Sequence, residues 1–366
     1  MKIEILRENL EKAISIASKV SNKNLSLPVL GCVLISVDSG KAVLRATNLD
    51  LSVEVVLKAK ILEVGVVAVP AHILSQTISA LTDQKLTIKT KGNNLIIDGE
   101  RGVTTIALID AAEFPTLPYV KDGDGVSVVL PTRDFTTALH SVSFAASTSS
   151  VKPELASVSV LLEKGELTAV ATDSFRLAEI KIPVKLKNGF GPLLIPARNI
   201  PDILRAIESS AEIEIRIEDN QCSFVSDFGH ITSRTIDGTF PNYQAIIPRE
   251  YIAEATCLKE DAVRAFKKIS IFMDSFNQAH LALKSSEKTF TIRATNSAVG
   301  DAIDHIPSVL EGEDIDINFN TRYIVDAFPV MGGDSVTFAV AGVGKPMVMR
   351  NNPSKGFTYL VMPMNR

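Results

Sequence analysis

The chain has 366 residues, 46% of them hydrophobic and 22% charged, with a net charge of −4; this is enough for two or three domains with buried cores and excludes disordered and collagen-like classes. No apolar run reaches the roughly 18 residues of a membrane span, and the N-terminal "MKIEILRENLEKAI" lacks the apolar block and cleavage site of a signal peptide, so a cytoplasmic protein with no membrane partner is expected. The net acidity excludes a uniformly basic nucleic-acid binder, though not one whose positive charge is gathered on one face.

In chain order, the first predicted helix carries Leu10, Ala13, Ile14 and Ala17 at the i, i+3, i+4, i+7 spacing of a buried stripe. The alternating "KAVLRAT" (41–47) predicts a strand ending in the Thr-Asn of "RATNLDLSV". A second helix follows in "VPAHILSQTISAL" (69–81), with Leu74, Thr77, Ile78 and Leu81 on one stripe, and then "EFPTL" (113–117). After the turn formers of "KDGDG" (121–125) the order restarts. A helix with Phe135, Ala138, Leu139 and Val142 precedes the strand "GELTAVAT" and the turn "DSFRL". A helix in "IPARNIPDILRAI" (195–207) with Ile200, Ile203, Leu204 and Ile207 follows, its first turn suited to Pro201, and then the strand "EIEIRI" and "TFPNY" (239–243). Beyond "PREYI" (248–252) the order comes a third time. A helix with Ala262, Ala265, Phe266 and Ile269 leads to "KTFTIRAT". "FNTRYIVDAFPVM" (319–331) then carries Ile324, Ala327, Phe328 and Met331, with Pro329 ending that helix, before the strand "VTFAV".

The landmarks keep one period. Thr47, Thr172 and Thr295 stand 125 and 123 residues apart, and Leu74, Ile200 and Ile324 stand 126 and 124 apart. The period is too long for a solenoid. The reading is an α+β protein of three tandem similar domains, 1–122, 123–249 and 250–366, each with two helices packed on antiparallel sheet.

Catalytic signatures are absent. "AGVGKP" (341–346) has Ala339 and Pro346 where a phosphate loop needs Gly and Ser/Thr, so it reads as a hairpin turn. Cys32, Cys222 and Cys257 form no CxxC pair and the five histidines no ligand set; buried small hydrophobes are expected, with no metal and no cofactor. Asp173, beside Thr172 and Arg176, has Asn48 and Asn296 as its repeat equivalents, so an acid is not required there and a turn cap is expected. With no catalytic residues assigned, the chain reads as a non-enzyme. The six helical windows together carry a surplus of four positive charges, leaving the remainder strongly acidic. A solvated mixed surface would give the same sum, and so would helices facing a polyanion in weak, sequence-blind contact. A peptide-binding scaffold without DNA and an unrecognised hydrolase or transferase stay open on the residues alone.

Five segments carry a resemblance over the whole chain: "LSLPVLGCVLIS" (25–36), "ATDSFRLA" (171–178), "DGTFPNYQAIIP" (237–248), "FNTRYIVDAF" (319–328) and "YLVMPMNR" (359–366). Together they resemble the bacterial DNA sliding clamps, the beta subunits of DNA polymerase III. The resemblance implies the DNA clamp fold as a head-to-tail homodimeric ring that encircles double-stranded DNA without sequence specificity, nucleoid-associated in the bacterial cytoplasm. It implies a processivity factor whose partners are the DNA polymerase III alpha subunit, an ATP-dependent clamp loader, and other polymerases and repair proteins with clamp-binding motifs.

The same resemblance implies a peptide-binding cleft between the second and third domains. Leu155, Thr172, Ser174, Phe175, Arg176, Leu177, Pro241, Phe276, Asn320, Tyr323, Met362, Pro363 and Met364 would line it. DNA would be faced by Lys12, Lys19, Lys23, His72, Arg198, Arg205, Arg264, Lys267, Lys268 and Arg322. The dimer seam would join Ile78 and Ile106 to Ile271 and Phe272, although Ile78 also falls on a core stripe. The sequence departs from the family pattern at Ser174-Phe175, where Gly-His is usual, and at the closing Asn365-Arg366. Asn24 and His72 stand where bases are common, which leaves Lys23 to substitute for Asn24.

Overall fold

The computed structural model describes residues 1–21, 27–186, 188–351 and 356–364. Lys23, Asn24, Asn365 and Arg366 therefore lie outside the described residues. Among those described, six α-helices occur: α1 (Arg7–Val20), α2 (Ala71–Ala80), α3 (Thr132–Val142), α4 (Ile200–Ile207), α5 (Lys259–Ser270) and α6 (Thr321–Ala327). None is long and apolar enough to cross a membrane.

The expected stripes explain which helix faces are inward. Leu10, Ala13, Ile14 and Ala17 of α1 are buried, as are Ala262, Ala265, Phe266 and Ile269 of α5. Phe135, Ala138, Leu139 and Val142 of α3 are wholly buried. Two stripes shift. α2 ends at Ala80 and buries Ala71, Leu74 and Ile78, so Leu81 becomes its C-cap instead of a fourth core position. α4 buries Ala206 and leaves Leu204 half-buried, with Pro201 in its first turn, where no backbone N–H is needed.

The polypeptide divides into two compact units that cut through the second repeat: residues 1–136 with 198–235, and 137–197 with 236–366. The first unit holds a five-stranded antiparallel sheet with strand order 59–63, 2–6, 85–91, 94–98 and 103–107. Its second sheet has eight strands in the order 126–131, 212–218, 221–226, 229–234, 51–56, 42–47, 32–37 and 65–70. The strand 229–234 of the second repeat thus bonds directly to 51–56 of the first, with Thr232 opposite Ser52. α1 packs on α2 and on the strands 42–47 and 51–56.

The second unit repeats the device. Its nine-stranded sheet runs 190–196, 157–163, 166–172, 176–183, 357–361, 347–351, 335–340, 253–258 and 308–312. Here 357–361 of the third repeat bonds to 176–183 of the second, with Leu360 opposite Leu177. The four remaining strands, in the order 300–305, 289–296, 278–284 and 315–320, form a separate sheet. The "AGVGKP" turn joins the paired strands 335–340 and 347–351, as a hairpin should, with Lys345 N–H donating to the Gly342 carbonyl at 3.2 Å.

Candidate functional site

The turn that separates strands 166–172 and 176–183 is held from within. The Thr172 hydroxyl donates to the Arg176 carbonyl (2.6 Å) and accepts from Ser174 N–H (3.1 Å). Asp173 Oδ1 accepts from the N–H groups of Phe175 and Arg176, both at 2.9 Å. The first repeat builds the same turn from Thr47 and Asn48, whose side chains hold Leu49, Asp50 and Leu51. Ser174 and Leu49 both take φ 78°, a left-handed conformation that costs a non-glycine residue energy and persists where surrounding bonds impose it. The Thr-Asn/Asp element is therefore a turn cap. The third copy keeps part of it: Asn296 Oδ1 accepts from Ala298 N–H (3.0 Å), while Thr295 is exposed and the Asn296 amide also donates to the Met273 carbonyl.

Side-chain alternation then separates Arg176 from Leu177. Arg176 is 9% exposed; its Nε donates to Asp173 Oδ2 (2.9 Å) and one terminal nitrogen to Asp326 Oδ2 (2.7 Å). Its guanidinium lies 4.7 Å from the centre of the Tyr323 ring and 5.7 Å from that of Phe144, within cation–π range. Burial opposes its charge, but the hydrogen bond to Asp326 and the nearby carboxylates outweigh it and raise its affinity for the proton. Two of the five donors implied for a peptide are thus committed within the chain, and Arg176 acts as a strut that ties the turn to α6.

Leu177 points to the opposite sheet face. It forms a buried apolar cluster with Val170, Val348 and Leu360, against which Phe240, Tyr243, Ile247 and Tyr251 pack. The connector after "TFP" thus crosses the sheet on aromatic side chains. The Tyr243 hydroxyl donates to Glu179 (2.7 Å), and burial together with that bond raises the phenol well above its usual range. Thr172 lies directly across from Leu177 on the same face. Pro241 and Ile246 of the connector remain exposed.

The tail completes the site. Met362 N–H donates to the Phe175 carbonyl and Met364 N–H to that of Asn318, both at 2.8 Å, so Met362, Pro363 and Met364, each half-buried, bridge the turn to strand 315–320. Asn320 caps α6 by accepting from Arg322 N–H (3.0 Å), and its amide donates to the Phe276 carbonyl (3.4 Å). Its polar groups are used internally, like those of Arg176. Phe175 and Phe276 are the exposed aromatics here, at 60% and 67%. Leu155 is buried, its carbonyl accepting from Ser147 N–H. Sequence reasoning missed Val170, Val348, Leu360 and Tyr243, and also Asp326 and Phe144 beside Arg176. Strand alternation from Thr172 would have reached Val170, and the aromatic spacing in "FPNY" would have reached Tyr243.

The basic candidates are exposed and mostly paired. Lys12 meets Glu8 (2.6 Å), Arg198 meets Asp50 (3.0 Å), and Arg205 meets Asp202 (2.7 Å). Arg264 pairs with Asp261, and Lys268 with Asp304 (3.4 Å). Lys19, Lys267 and Arg322 have no carboxylate partner among the described residues, and His72 is exposed. Of the seam candidates, Ile271 is 66% exposed and Phe272 half-buried, whereas Ile78 is wholly buried and Ile106 nearly so. Ile78 belongs to the core stripe of α2 and has no side-chain surface to offer; Val103, on the strand of Ile106, is 63% exposed.

Three tandem α+β repeats whose sheets run on from one repeat into the next define a clamp-type fold. Comparison with known sequences matches three descriptions: DNA polymerase III beta subunit, N-terminal domain over residues 1–118, central domain over 129–242, and C-terminal domain over 244–365. The beta sliding clamp of Caulobacter vibrioides is 27% identical over 374 residues, covering all of both chains. That of Synechocystis sp. is 26% identical over 390 residues, covering 100% of this chain and 99% of its own. Among solved structures, the DNA polymerase III beta subunit of Thermotoga maritima superposes with a TM-score of 0.94 at 21% identity, covering 100% of this chain and 99% of its own. The Pseudomonas aeruginosa sliding clamp bound to griselimycin superposes with a TM-score of 0.91 at 24% identity over the whole of both chains. The chain belongs to the DNA polymerase III beta subunit family, the bacterial sliding clamps, and its function is that of a polymerase processivity factor.

Proposed function

We propose that two copies of this chain close head to tail into a ring around duplex DNA and hold partner proteins by short peptides in the cleft that Phe175, Pro241, Tyr323 and Met362 line, supported from beneath by the buried Leu177–Leu360 cluster. The protein works by topology and not by catalysis: a tethered polymerase that lets go rebinds at high effective concentration. Its partners are DNA, the polymerase alpha subunit, a clamp loader, and other polymerases and repair proteins with such peptides.

The observation that carries the ring is a pair of open sheet edges. Within each unit, a strand that follows a repeat's second helix (229–234, 357–361) bonds to a strand that follows a Thr-Asn/Asp turn (51–56, 176–183). The repeat counterparts of these two partners are 103–107 and 300–305, and each ends its sheet with one edge unpaired among the described residues. Glycine supports the same correspondence. Gly102 and Gly356 each immediately precede their strand, yet a Cβ on Gly356 would lie 2.2 Å from the Lys181 carbonyl, whereas Gly102 has no atom within 4 Å. Carrying the internal register over sets Ile106 opposite Gly300 and Val103 opposite Ile303, and so joins two exposed apolar side chains, 63% and 47% exposed, across the seam. A heterologous contact of this kind closes when its rotation matches the repeat.

Two measurements test the reading. Cysteines at Val103 and Ile303 should cross-link two copies under mild oxidation, whereas Val103→Cys with Asp301→Cys should not, because paired Cβ atoms approach to about 4.5–5.5 Å and diagonal ones do not. The loaded protein should stay on nicked circular DNA and slide from the same DNA once linearised. A concentration-independent monomer in sedimentation would overturn the ring.

A further inference from the structure

The sheet face that carries Leu177 continues, on the far side of Val170, into a cavity of about 360 Å³. Its floor is made by strands 157–163 and 166–172, and its walls by Pro192 and the connector from Gly238 to Gln244. Among the described residues no Lys, Arg, Asp, Glu or His lines it, so it is unsuited to phosphates or acidic segments. Ser159 and Thr168 do line it, at 6% and 9% exposed, and neither hydroxyl has a hydrogen-bond partner among the described residues. Hydroxyls that face an open cavity in this way are free to donate to and accept from a group that enters it.

The first repeat shows the alternative. Ser159 lies opposite Val170, and the matching pair in the first repeat is Leu34 opposite Arg45. Leu34, Cys32 and Ala68 are covered there by Ile109, Ala111 and Phe114, residues of the chain itself. The second repeat replaces the leucine with serine and leaves the corresponding space open. Val170, Phe240 and Tyr243 belong both to this cavity and to the apolar cluster around Leu177. The two surfaces are continuous.

We infer that the partner peptide does not end over Leu177 and Leu360 but places one flanking residue in this cavity. That residue is neutral, apolar and of middle size, resting on Leu161 and Phe240, while its backbone amide exchanges hydrogen bonds with the Ser159 and Thr168 hydroxyls. The inference rests on the peptide-cleft reading above and adds a second anchor to it. Peptides that share the same central motif would then differ in affinity through a residue outside it.

The test uses the full-length protein and two fluorescein-labelled probes in anisotropy titrations. One is a six-residue clamp-binding peptide of the cognate polymerase, the other the same peptide with four native residues added at each end. On the wild-type protein the long probe should bind at least about tenfold tighter. Thr168→Met fills the cavity and should erase this advantage while leaving the short probe's affinity unchanged. Ser159→Ala, which removes one hydroxyl and little volume, should reduce the advantage several-fold and guards against a folding defect in the first variant. Equal binding of the two probes to wild-type protein, or an undiminished advantage in both variants, overturns the inference while sparing the cleft. If the short probe does not bind the wild-type protein at all, the cleft reading fails and the second anchor fails with it.

Discussion

Strand 229–234 beside 51–56 and strand 357–361 beside 176–183 are two versions of one joint, each contained in its own compact unit. Their registers correspond residue for residue, and their turns share the Thr-Asn/Asp cap. On one face, four corresponding positions differ completely. The first joint has Arg45, Ser52, Ser223 and Thr232; the second has Val170, Leu177, Val348 and Leu360. At the first, Ser223 and Thr232 share a 2.7 Å hydrogen bond, Ser223 also accepts from Val120 N–H, and Arg45 is bound to Glu54. That face satisfies itself. At the second, four apolar side chains gain about 1.5–3 kcal/mol each on full burial, with the connector's Phe240, Tyr243, Ile247 and Tyr251 packed against them. Backbone topology is duplicated while the side chains on this face are not, so an apolar cluster arises at one joint without disturbing the strand pairing that both need.

The sharpest way to break this comparison is to give the second joint the side chains of the first. Leu177→Ser with Leu360→Thr should weaken binding of a clamp-binding peptide by at least about 100-fold, since the buried apolar cluster that supports the cleft is made polar. Dimerisation, read by sedimentation, should be unchanged, because neither position lies on the edges 103–107 or 300–305. Peptide affinity within threefold of wild type would remove the apolar quartet from the site.

Arg176 carries the next largest effect, on stability more than on binding. Arg176→Ala leaves Asp173 and Asp326 without their shared cation in a largely buried setting, and breaking such a pair costs about 3–5 kcal/mol. Arg176→Lys keeps the charge but cannot span both carboxylates from a planar fork, so it should recover only part of the loss. Chemical denaturation of the two variants checks this. A cost below 1 kcal/mol for the alanine variant would mean that the pair does not tie the turn to α6.

Much of this was legible in the sequence because it is local. The stripes of α1, α3 and α5 follow from 3.6-residue periodicity, and Leu10, Phe135 and Phe266 fall inside as that spacing requires. The 125-residue echo of Thr47 and Thr172 marks a turn whose bonds are all made within five residues. The joints were not legible. Ser233 lies opposite Leu51 across 182 positions of chain, and no periodicity announces such a pairing. Arg176 is visible in the sequence beside Asp173, but its other partner Asp326 is 150 residues away, so the tie to α6 could not be read there. Ile78 misled for the opposite reason: its stripe position already fixed it in the core.

The smallest effect concerns the first joint's own closure. His230 lies on strand 229–234, its ring centre 4.1 Å from that of Tyr119, and Glu54 is opposite it across the joint. Burial pushes the imidazole down to about 4 from its ordinary 6.5; Glu54 pulls the other way, and the Lys41, Arg45 and Arg216 charges add to the fall. The folded protein therefore holds a neutral histidine where the unfolded chain takes up a proton, and stability falls as pH drops from 6.5 towards 4. Between pH 6.5 and pH 5 the loss should be about 2 kcal/mol. Glu54 is held below its usual carboxylate range because its hydrogen bonds to Lys41 and Arg45 outweigh the burial that opposes them, and its contribution is lost only as pH falls below about 4.5. The two windows separate, so His230→Asn should flatten the denaturation midpoint between pH 6.5 and pH 5 and leave the steeper fall below pH 4.5 in place. No counterpart of this titration exists at the second joint, where Thr358 takes the place of His230; a variant that still loses stability above pH 5 would assign the effect to a group outside the first joint.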